Sequence, residues 1–213
     1  MLKKYKKTVI LTTLVALLPM LAGLLLWNRL PETIAIHFGA NGEPNGWSSR
    51  AMAVFGLPAF LAAVNVLCAV GTSADPKNQN IQPKIFKLIL WICPVISIIC
   101  CGGTYAYALE LPVSMEKLCM ILVGVVFIII GNYLPKCRQS YTVGIKLPWT
   151  LDSEENWNRT HRMAGGLWMA GGAVLMLLSL LGQISVFIFL PVVLVMTLVP
   201  TVYSYLLYRK LNG

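Results

Sequence analysis

Apolar and polar positions alternate along this chain in long blocks, with six apolar segments separated by five polar connections. Each apolar segment is close to the roughly 17–25 residues that a helix needs to cross a bilayer, and none carries a charged residue or a His in its interior. Because the segments lack the alternation of a lipid-facing barrel strand, the pattern predicts an all-α polytopic membrane protein with six transmembrane helices. The predicted segments are Thr8–Trp27, Ala51–Gly71, Leu88–Ala108, Leu118–Leu134, Ala164–Gly182 and Ile184–Tyr208.

Composition and charge support this prediction and add an orientation. The chain is only 12% charged, whereas soluble domains carry about 25% charged residues. With both termini in the cytoplasm, fourteen of the seventeen Lys and Arg residues lie inside, and only Arg29, Arg50 and Lys117 lie outside. Cytoplasmic loops are enriched in Lys and Arg, so both termini are predicted to be cytoplasmic. The net charge of +9 is therefore interpreted as a topology signal, and no direct nucleic-acid partner is expected.

The connections divide the chain into two predicted membrane halves. Residues 1–110 hold helices one to three and an outside loop at 28–50, and residues 111–213 hold helices four to six and a cytoplasmic insert at 135–163. Five of the six Cys lie within apolar segments, and none shows a CxxC or Cys/His metal spacing. Cys in such positions behaves as a small buried hydrophobe, so neither a metal nor a cofactor is predicted.

The outside loop has the pattern of a short strand followed by turns. Thr33–Phe38 alternates in part, with His37 on the face opposite the two Ile side chains, which is typical of a strand. Asn41-Gly42 and Asn45-Gly46 are tight-turn pairs, and Ser48 or Ser49 is predicted to cap helix two. A metal site at His37 is disfavoured because no second His or Cys is near, so a hydrogen bond with a structural or ligand-contacting role is expected.

The cytoplasmic insert is predicted to continue into the fifth transmembrane helix. Asp152 is a good N-cap, and Glu155 three residues later completes a pattern like a capping box. On a helix that begins at Ser153, Trp157 and His161 lie on one face, and that face continues through Ala164 and Trp168. Small residues at Gly166 and Ala170, followed by Gly171-Gly172, predict a close helix–helix approach.

Two interpretations of the insert stay open from these residues. The first is a juxtamembrane helix with aromatic anchors and cations that reach the headgroups. The second is a docking or ligand surface organised around aromatic, hydroxyl and imidazole side chains. The residues of that second interpretation are Trp149, Thr150, Trp157, Thr160 and His161.

A small membrane enzyme or carrier is the alternative from another class. His161 with the carboxylates of Asp152, Glu154 and Glu155 supplies an acid and a base. No Ser or Cys nucleophile is placed by a motif, and the spacing of a zinc hydrolase is absent from the sequence. Ion-coupled carriers normally place ionisable groups near the bilayer midplane, where this sequence has neutral ones. A protein without catalysis is therefore favoured.

Several stretches, taken in order, resemble a known family. Gly131–Pro135, Gly144–Leu151 and Trp157–Gly165 resemble the signature of the SdpI family. The outside loop, from Leu30 to Ser48, resembles the uncharacterised membrane domain that is often fused in front of it. Together the two resemblances cover nearly the whole chain. Lys146 stands where Arg is often expected, which keeps the charge but loses the planar fork of a guanidinium.

The resemblance implies an immunity protein of the bacterial inner membrane that protects its producer against an exported peptide toxin. It also implies signal transduction, in which a small repressor is held at the membrane once toxin is present. The expected partners are thus the lipid bilayer, a secreted peptide outside and a small repressor inside. Candidate toxin-facing or structural loop residues are His37, Phe38, Gly42, Pro44 and Trp47. Candidate cytoplasmic recognition residues are Lys146, Pro148, Trp149, Thr150, Trp157, Thr160, His161 and Arg162.

Overall fold

The structure, a computed structural model, describes residues 1–39, 42–182 and 185–212. Within these residues the chain forms seven α-helices and one two-stranded antiparallel sheet. The helices are α1 (Leu2–Leu25), α2 (Leu57–Ser73), α3 (Pro83–Ala108), α4 (Met115–Tyr133), α5 (Pro148–Asp152), α6 (Glu154–Leu180) and α7 (Val186–Asn212). The strands are β1 (Thr33–Phe38) and β2 (Pro44–Ser49).

Among the residues that the structure describes, six helices are long and apolar enough to cross a membrane, and this confirms the predicted fold class. They are α1, α2 with the turn before it, α3, α4, α6 and α7. The helix α6 begins ten residues before the predicted apolar segment, because its polar first turns continue the same helix into the insert. The predicted segments Ala164–Gly182 and Ile184–Tyr208 meet at residues 183–184, which lie outside the described residues.

The chain forms two compact units. The N-terminal unit comprises Met1–Ser73 and Phe86–Cys119, and the C-terminal unit comprises Ala74–Ile85 and Met120–Gly213. The predicted division into residues 1–110 and 111–213 stays a prediction.

The N-terminal unit packs the base of the hairpin against its helices. Leu30 and Ile34 are buried against Val54, which precedes α2, and against Tyr105 of α3. A π-helical turn, Met52–Gly56, precedes α2, and the N–H of Leu57 bonds the carbonyl of Met52 five residues back. This wider turn stands directly before Pro58, which lacks the N–H that a regular helix would use.

In the C-terminal unit, α4 and α6 approach each other at glycines. A Cβ added at Gly165 would lie 2.7 Å from the carbonyl oxygen of Gly131, and one at Gly172 would lie 2.6 Å from that of Gly124. The prediction that Gly166 takes part in a close approach was wrong, because a Cβ there meets nothing within 4 Å. One position along a helix turns the side chain by about 100°, so the contact lies on the neighbouring face.

Candidate functional sites

The outside loop folds as a β-hairpin in the N-terminal unit. The predicted strand at Thr33–Phe38 is confirmed, and it pairs antiparallel with β2. The predicted turn at Asn45-Gly46 was wrong, because both residues lie within β2. The reversal is closer to Gly42, which has φ 77° and whose N–H bonds the carbonyl of Gly39 at 3.0 Å. Asn41 lies outside the described residues.

The candidate loop residues spread over the exposed part of this hairpin. His37 is exposed, and its Nδ1 forms a hydrogen bond with Oδ1 of Asn45 across the two strands. Phe38 meets the ring of Tyr107 edge-on, with ring centroids 5.0 Å apart. The other three candidates lie at different positions along the hairpin. Gly42 lies near the reversal, Pro44 pairs with Phe38, and the side chain of Trp47 is 59% exposed.

The base of the hairpin is fixed to the ends of the first two spans. Ser49 Oγ accepts a hydrogen bond from the N–H of Met52 at 3.3 Å, so Ser49 is the predicted cap. The guanidinium of Arg50 donates to the carbonyls of Trp27 and Pro31 and lies 5.2 Å from the Trp27 ring centroid. These bonds fix the position of the hairpin at the ends of the two membrane-spanning helices.

The insert enters α6 through a cap that differs from the predicted one. Ser153, and not Asp152, is the N-cap, because its side chain accepts a hydrogen bond from the N–H of Asn156. Asp152 instead ends the short helix α5. Glu155 forms an exposed ion pair with Arg159 at 2.7 Å, which is the i, i+4 spacing of a helix surface.

The predicted aromatic stripe on α6 is confirmed, and its centre is Trp157 with His161. Their rings stack with centroids 4.0 Å apart, and both side chains are buried. The indole N–H of Trp157 donates to the carbonyl of Cys137 at 2.8 Å. Further along the same face, the indole of Trp168 donates to the carbonyl of Met196 at 2.9 Å.

Both ring nitrogens of His161 form hydrogen bonds with backbone groups. Nδ1–H donates to the carbonyl of Trp157 at 2.7 Å, and Nε2 accepts from the N–H of Ile145 at 2.8 Å. A carbonyl only accepts and an N–H only donates, so the imidazole is neutral with its proton on Nδ1. Neither nitrogen is presented to a ligand, and the ring instead fixes the path of residues 144–145.

Gly144 is the residue that allows this approach. It has φ 115°, and a Cβ there would lie 2.5 Å from Nε2 of His161 and 2.6 Å from the Trp157 ring. Both the backbone conformation and the space therefore require glycine. Gly144 is part of the stretch that resembles the family signature, and this close approach is a physical reason for a glycine at that position.

Thr150 and Gln139 form hydrogen bonds that join different parts of the insert. Thr150 is buried. Its Oγ1 accepts a hydrogen bond from the N–H of Leu147 at 2.9 Å and donates one to the carbonyl of Ile145 at 2.8 Å. The side-chain amide of Gln139 donates to the carbonyls of Thr150 and Leu151 at 3.0 and 2.7 Å. The insert is therefore an ordered structure stabilised by side-chain-to-backbone bonds.

Asp75 is a site residue that the sequence pattern does not single out, because Asp75-Pro76 has the composition of an ordinary turn. It is 2% exposed, and its Oδ2 accepts from the N–H groups of Tyr141 and Thr142 and from the Thr142 hydroxyl at 2.7–2.9 Å. Oδ1 accepts from the N–H of Lys77 at 2.8 Å. Burial raises the pKa of this carboxyl, but the hydrogen bonds outweigh burial and leave the pKa below its ordinary value.

The connection between α2 and α3 holds the insert at further points. Lys77 Nζ donates to the side-chain oxygen of Gln139 at 2.6 Å, and Asn80 donates to the Gln139 carbonyl at 2.8 Å. Gln82 donates to the carbonyl of Lys136 at 2.9 Å. The sequence signal that was available is the run of Asp, Asn and Gln in a connection between two apolar segments, but its partners lie about 60 residues away.

A second set of contacts ties the insert to α7. Trp149 donates its indole N–H to Ser204 Oγ at 2.8 Å, and its ring lies against those of Tyr205 and Tyr208. Asn156 is buried, and its amide donates to the Ser204 carbonyl at 2.9 Å while its oxygen accepts from Thr160. Ser204 thus bonds both ends of the turn that leads from α5 into α6.

The structure separates the eight candidate cytoplasmic residues into two groups. The first group is buried and shapes the insert from within: Thr150, Trp157, Thr160 and His161. The second group is available at the surface: Lys146, Pro148 and Arg162 are exposed, and Trp149 is partly exposed. Only the second group can touch a partner without unfolding the insert.

The chemistry of this site is that of a scaffold. Burial raises the pKa of the Cys137 thiol to about 11, so Cys137 is protonated at neutral pH and is a poor nucleophile. Among residues 1–39, 42–182 and 185–212, no three His, Cys, Asp or Glu side chains are grouped so as to hold a metal ion. The arrangement can present a fixed surface, and it offers no exposed acid–base pair around His161.

Fold and sites together define a polytopic membrane protein with a hairpin at one end of the N-terminal unit and an ordered polar insert in the C-terminal unit. Residues 136–204 match the SdpI/YfhL protein family, and residues 14–62 match a domain of unknown function. The predicted family resemblance is thus confirmed. The chain is also 25% identical over 206 residues to the immunity protein SdpI of Bacillus subtilis (strain 168), which covers 96% of this chain and 97% of that relative. No solved structure matches the chain.

Proposed function

We propose that this chain is an immunity protein of the bacterial inner membrane, which protects its host against an exported toxic peptide. The observation that supports this most is the similarity to an immunity protein along 96% of this chain and 97% of the relative. Because the match is nearly complete, it extends over both the hairpin and the insert. The buried His161, with both nitrogens bonded to the backbone, further supports a role without catalysis.

In this proposal the hairpin faces the toxin. The predicted orientation places it outside, and it offers an exposed indole on a rigid strand pair. Large aromatic side chains at exposed positions are common anchors in peptide recognition. The residues proposed for contact, or for the shape of the contact surface, are His37, Phe38, Gly42, Pro44 and Trp47.

The insert would act on the other side as a docking surface for a small repressor. Lys146 and Arg162 are exposed cations, and Pro148 with Trp149 adds apolar surface beside them. The buried residues of the insert would hold this surface in one shape. We infer that acidic groups of the repressor meet the two cations, since such charges steer association.

The test of immunity is expression of the chain in a toxin-sensitive strain, followed by challenge with the exported peptide toxin of a family member. Protection at confirmed membrane expression is the expected result. Trp47→Ala should reduce protection, whereas Trp91→Ala, which removes a partly exposed indole from the span α3, should not. Killing equal to that of cells with an empty vector would reject the proposal for that toxin.

The repressor role has a separate test. A fluorescent fusion of the candidate repressor is imaged in cells with and without toxin. Toxin should move the fusion to the membrane, and Lys146→Glu with Arg162→Glu should leave it in the cytoplasm. Lys84→Glu, another exposed cation on the predicted inner side, is the matched control. A fusion that ignores toxin at full membrane expression would reject this role.

A further inference from the structure

A groove of about 750 Å³ opens in the N-terminal unit between the hairpin and the connection from α3 to α4. We call it the hairpin groove. Its hairpin wall is formed by Thr33, Ile34, Ala35 and Trp47, and its other wall includes Glu110 and Leu111. Within the residues that the structure describes, this groove contains both an exposed aromatic ring and a carboxylate, so it differs from a simple lipid-facing cleft.

The groove runs along the backbone of β1. Side chains of consecutive strand residues point to opposite faces, yet Thr33, Ile34 and Ala35 all line the cavity. A cavity that three consecutive strand residues line must follow the main chain at the strand edge. In the described part of the chain, β1 pairs only with β2, so its other edge carries no strand.

The hydrogen-bond pattern places free backbone groups at this edge. The N–H of Arg50 bonds the carbonyl of Glu32, and Thr33 is opposite Ser49 in the next pair, which is therefore a non-hydrogen-bonded pair. In an antiparallel ladder the two kinds of pair alternate, so the N–H and C=O groups of Thr33 and Ala35 point away from β2. An edge of this kind is a template for one more strand.

On the opposite wall, Glu110 has a backbone conformation that is unfavourable for a residue other than glycine. Glu110 has φ 57°, and it ends α3 where its N–H bonds the carbonyl of Tyr107 and the N–H of Leu111 bonds that of Ala106. Gly is the usual residue at this position of a helix end. A carboxylate is held there instead, at the negative end of the helix dipole. The groove is therefore electronegative on the side that faces the β1 edge.

We propose that the hairpin groove binds an extended peptide segment, which adds as a third strand to the outer edge of β1 and places a Lys or Arg side chain at Glu110. The partner's main chain would exchange hydrogen bonds with Thr33 and Ala35, as in other cases of strand addition. Trp47 would cover the added strand from the hairpin face. This inference rests on the proposed function insofar as the segment belongs to the exported toxic peptide.

The direct test uses the full chain in lipid nanodiscs and a displayed library of random linear peptides, with empty nanodiscs as counter-selection. Selected peptides should be enriched in Lys and Arg. Thr33→Pro removes the outward N–H without removing a bond to β2, and it should weaken their binding about tenfold. Thr33→Val keeps that N–H and should bind like the parent protein.

The charge at Glu110 is tested with two variants. Glu110→Gln and Glu110→Gly should each weaken binding about threefold at low salt, and the difference should shrink at high salt. Because Gly favours the observed φ, the second variant separates loss of charge from loss of fold. Selected peptides without basic residues, or binding that is equal in the parent and Thr33→Pro, would overturn the proposal.

The toxin challenge on the same variants separates the two proposals. If the parent chain and Thr33→Pro protect cells equally at equal membrane expression, immunity stands and the groove is not the site of the toxin. If Thr33→Val protects and Thr33→Pro does not, both proposals are supported. If the parent chain gives no protection, the immunity proposal fails for that toxin, and the nanodisc measurements decide the groove by themselves.

Discussion

Asp75→Asn tests whether the connection between α2 and α3 holds the insert in place. The carboxylate accepts four hydrogen bonds, from Lys77, Tyr141 and twice from Thr142. An Asn side chain has one oxygen and one NH2 group, so at least one of these donors would face another donor. Loss of one hydrogen bond to a buried charged group costs about 2 kcal/mol, which corresponds to about a 30-fold increase in local opening.

The assay is thiol labelling of Cys137, which is 7% exposed and lies in the segment that Asp75 and its neighbours hold. In a variant that keeps Cys137 as its single Cys, a maleimide reagent labels this thiol only when the segment opens. Asp75→Asn should raise the labelling rate about 30-fold in nanodiscs at neutral pH. Asp152→Asn is the matched control, since it removes an exposed carboxylate from the same insert.

Two results would refute the reasoning. If Asp75→Asn labels within about twofold of the parent protein, the four hydrogen bonds do not stabilise the insert to the extent that their number and charge require. If Asp152→Asn accelerates labelling as much as Asp75→Asn, the effect comes from net charge and not from the buried contacts. Circular dichroism of each variant checks that the helices remain intact.

Three further predictions concern the same insert. Gly144→Ala should lower the free energy of unfolding by more than about 2 kcal/mol, because the new side chain requires a left-handed backbone conformation and overlaps buried rings. Gly166→Ala is the control and should stabilise its helix slightly. Thermal unfolding in detergent compares the two variants. Trp157→Phe should cost about 2–3 kcal/mol, since it removes volume and leaves the Cys137 carbonyl without its donor, as urea titration would show. Because the pKa of Asp75 is lowered, its contribution to stability is present above about pH 4 and is lost as pH falls through the folded-state pKa. Labelling of Cys137 should therefore accelerate in acid. An equal acceleration in Asp75→Asn would contradict this.

Local features of the sequence were sufficient for the spans, the strand and the stripe. A membrane span depends on length and hydrophobicity within one segment, so the apolar run that forms α7 could be identified without knowledge of its neighbours. Thr33–Phe38 alternates by itself, and Trp157 with His161 follows the 3.6-residue period of a helix. Each of these predictions used residues within a few turns of one another.

The helix cap and the turn show where local rules stop. Asp152 and Ser153 are both good N-caps, and the choice between them depends on where α5 ends. Asn45-Gly46 has turn chemistry, but the pairing of β2 with β1 extends through it. In both cases the local sequence allowed two outcomes, and contacts with a neighbouring element selected one.

The sequence by itself determined a six-span helical membrane protein with two polar surfaces and identified the residues of its family signature. Only the tertiary structure showed that the imidazole of His161 accepts a hydrogen bond from the backbone of Ile145. It also showed that Asp75 accepts hydrogen bonds from residues 66 and 67 positions away, and that a groove follows the edge of β1. The physical reason is that hydrogen bonds and cavities are properties of groups brought together by folding. Their partners leave no periodic signal in the chain.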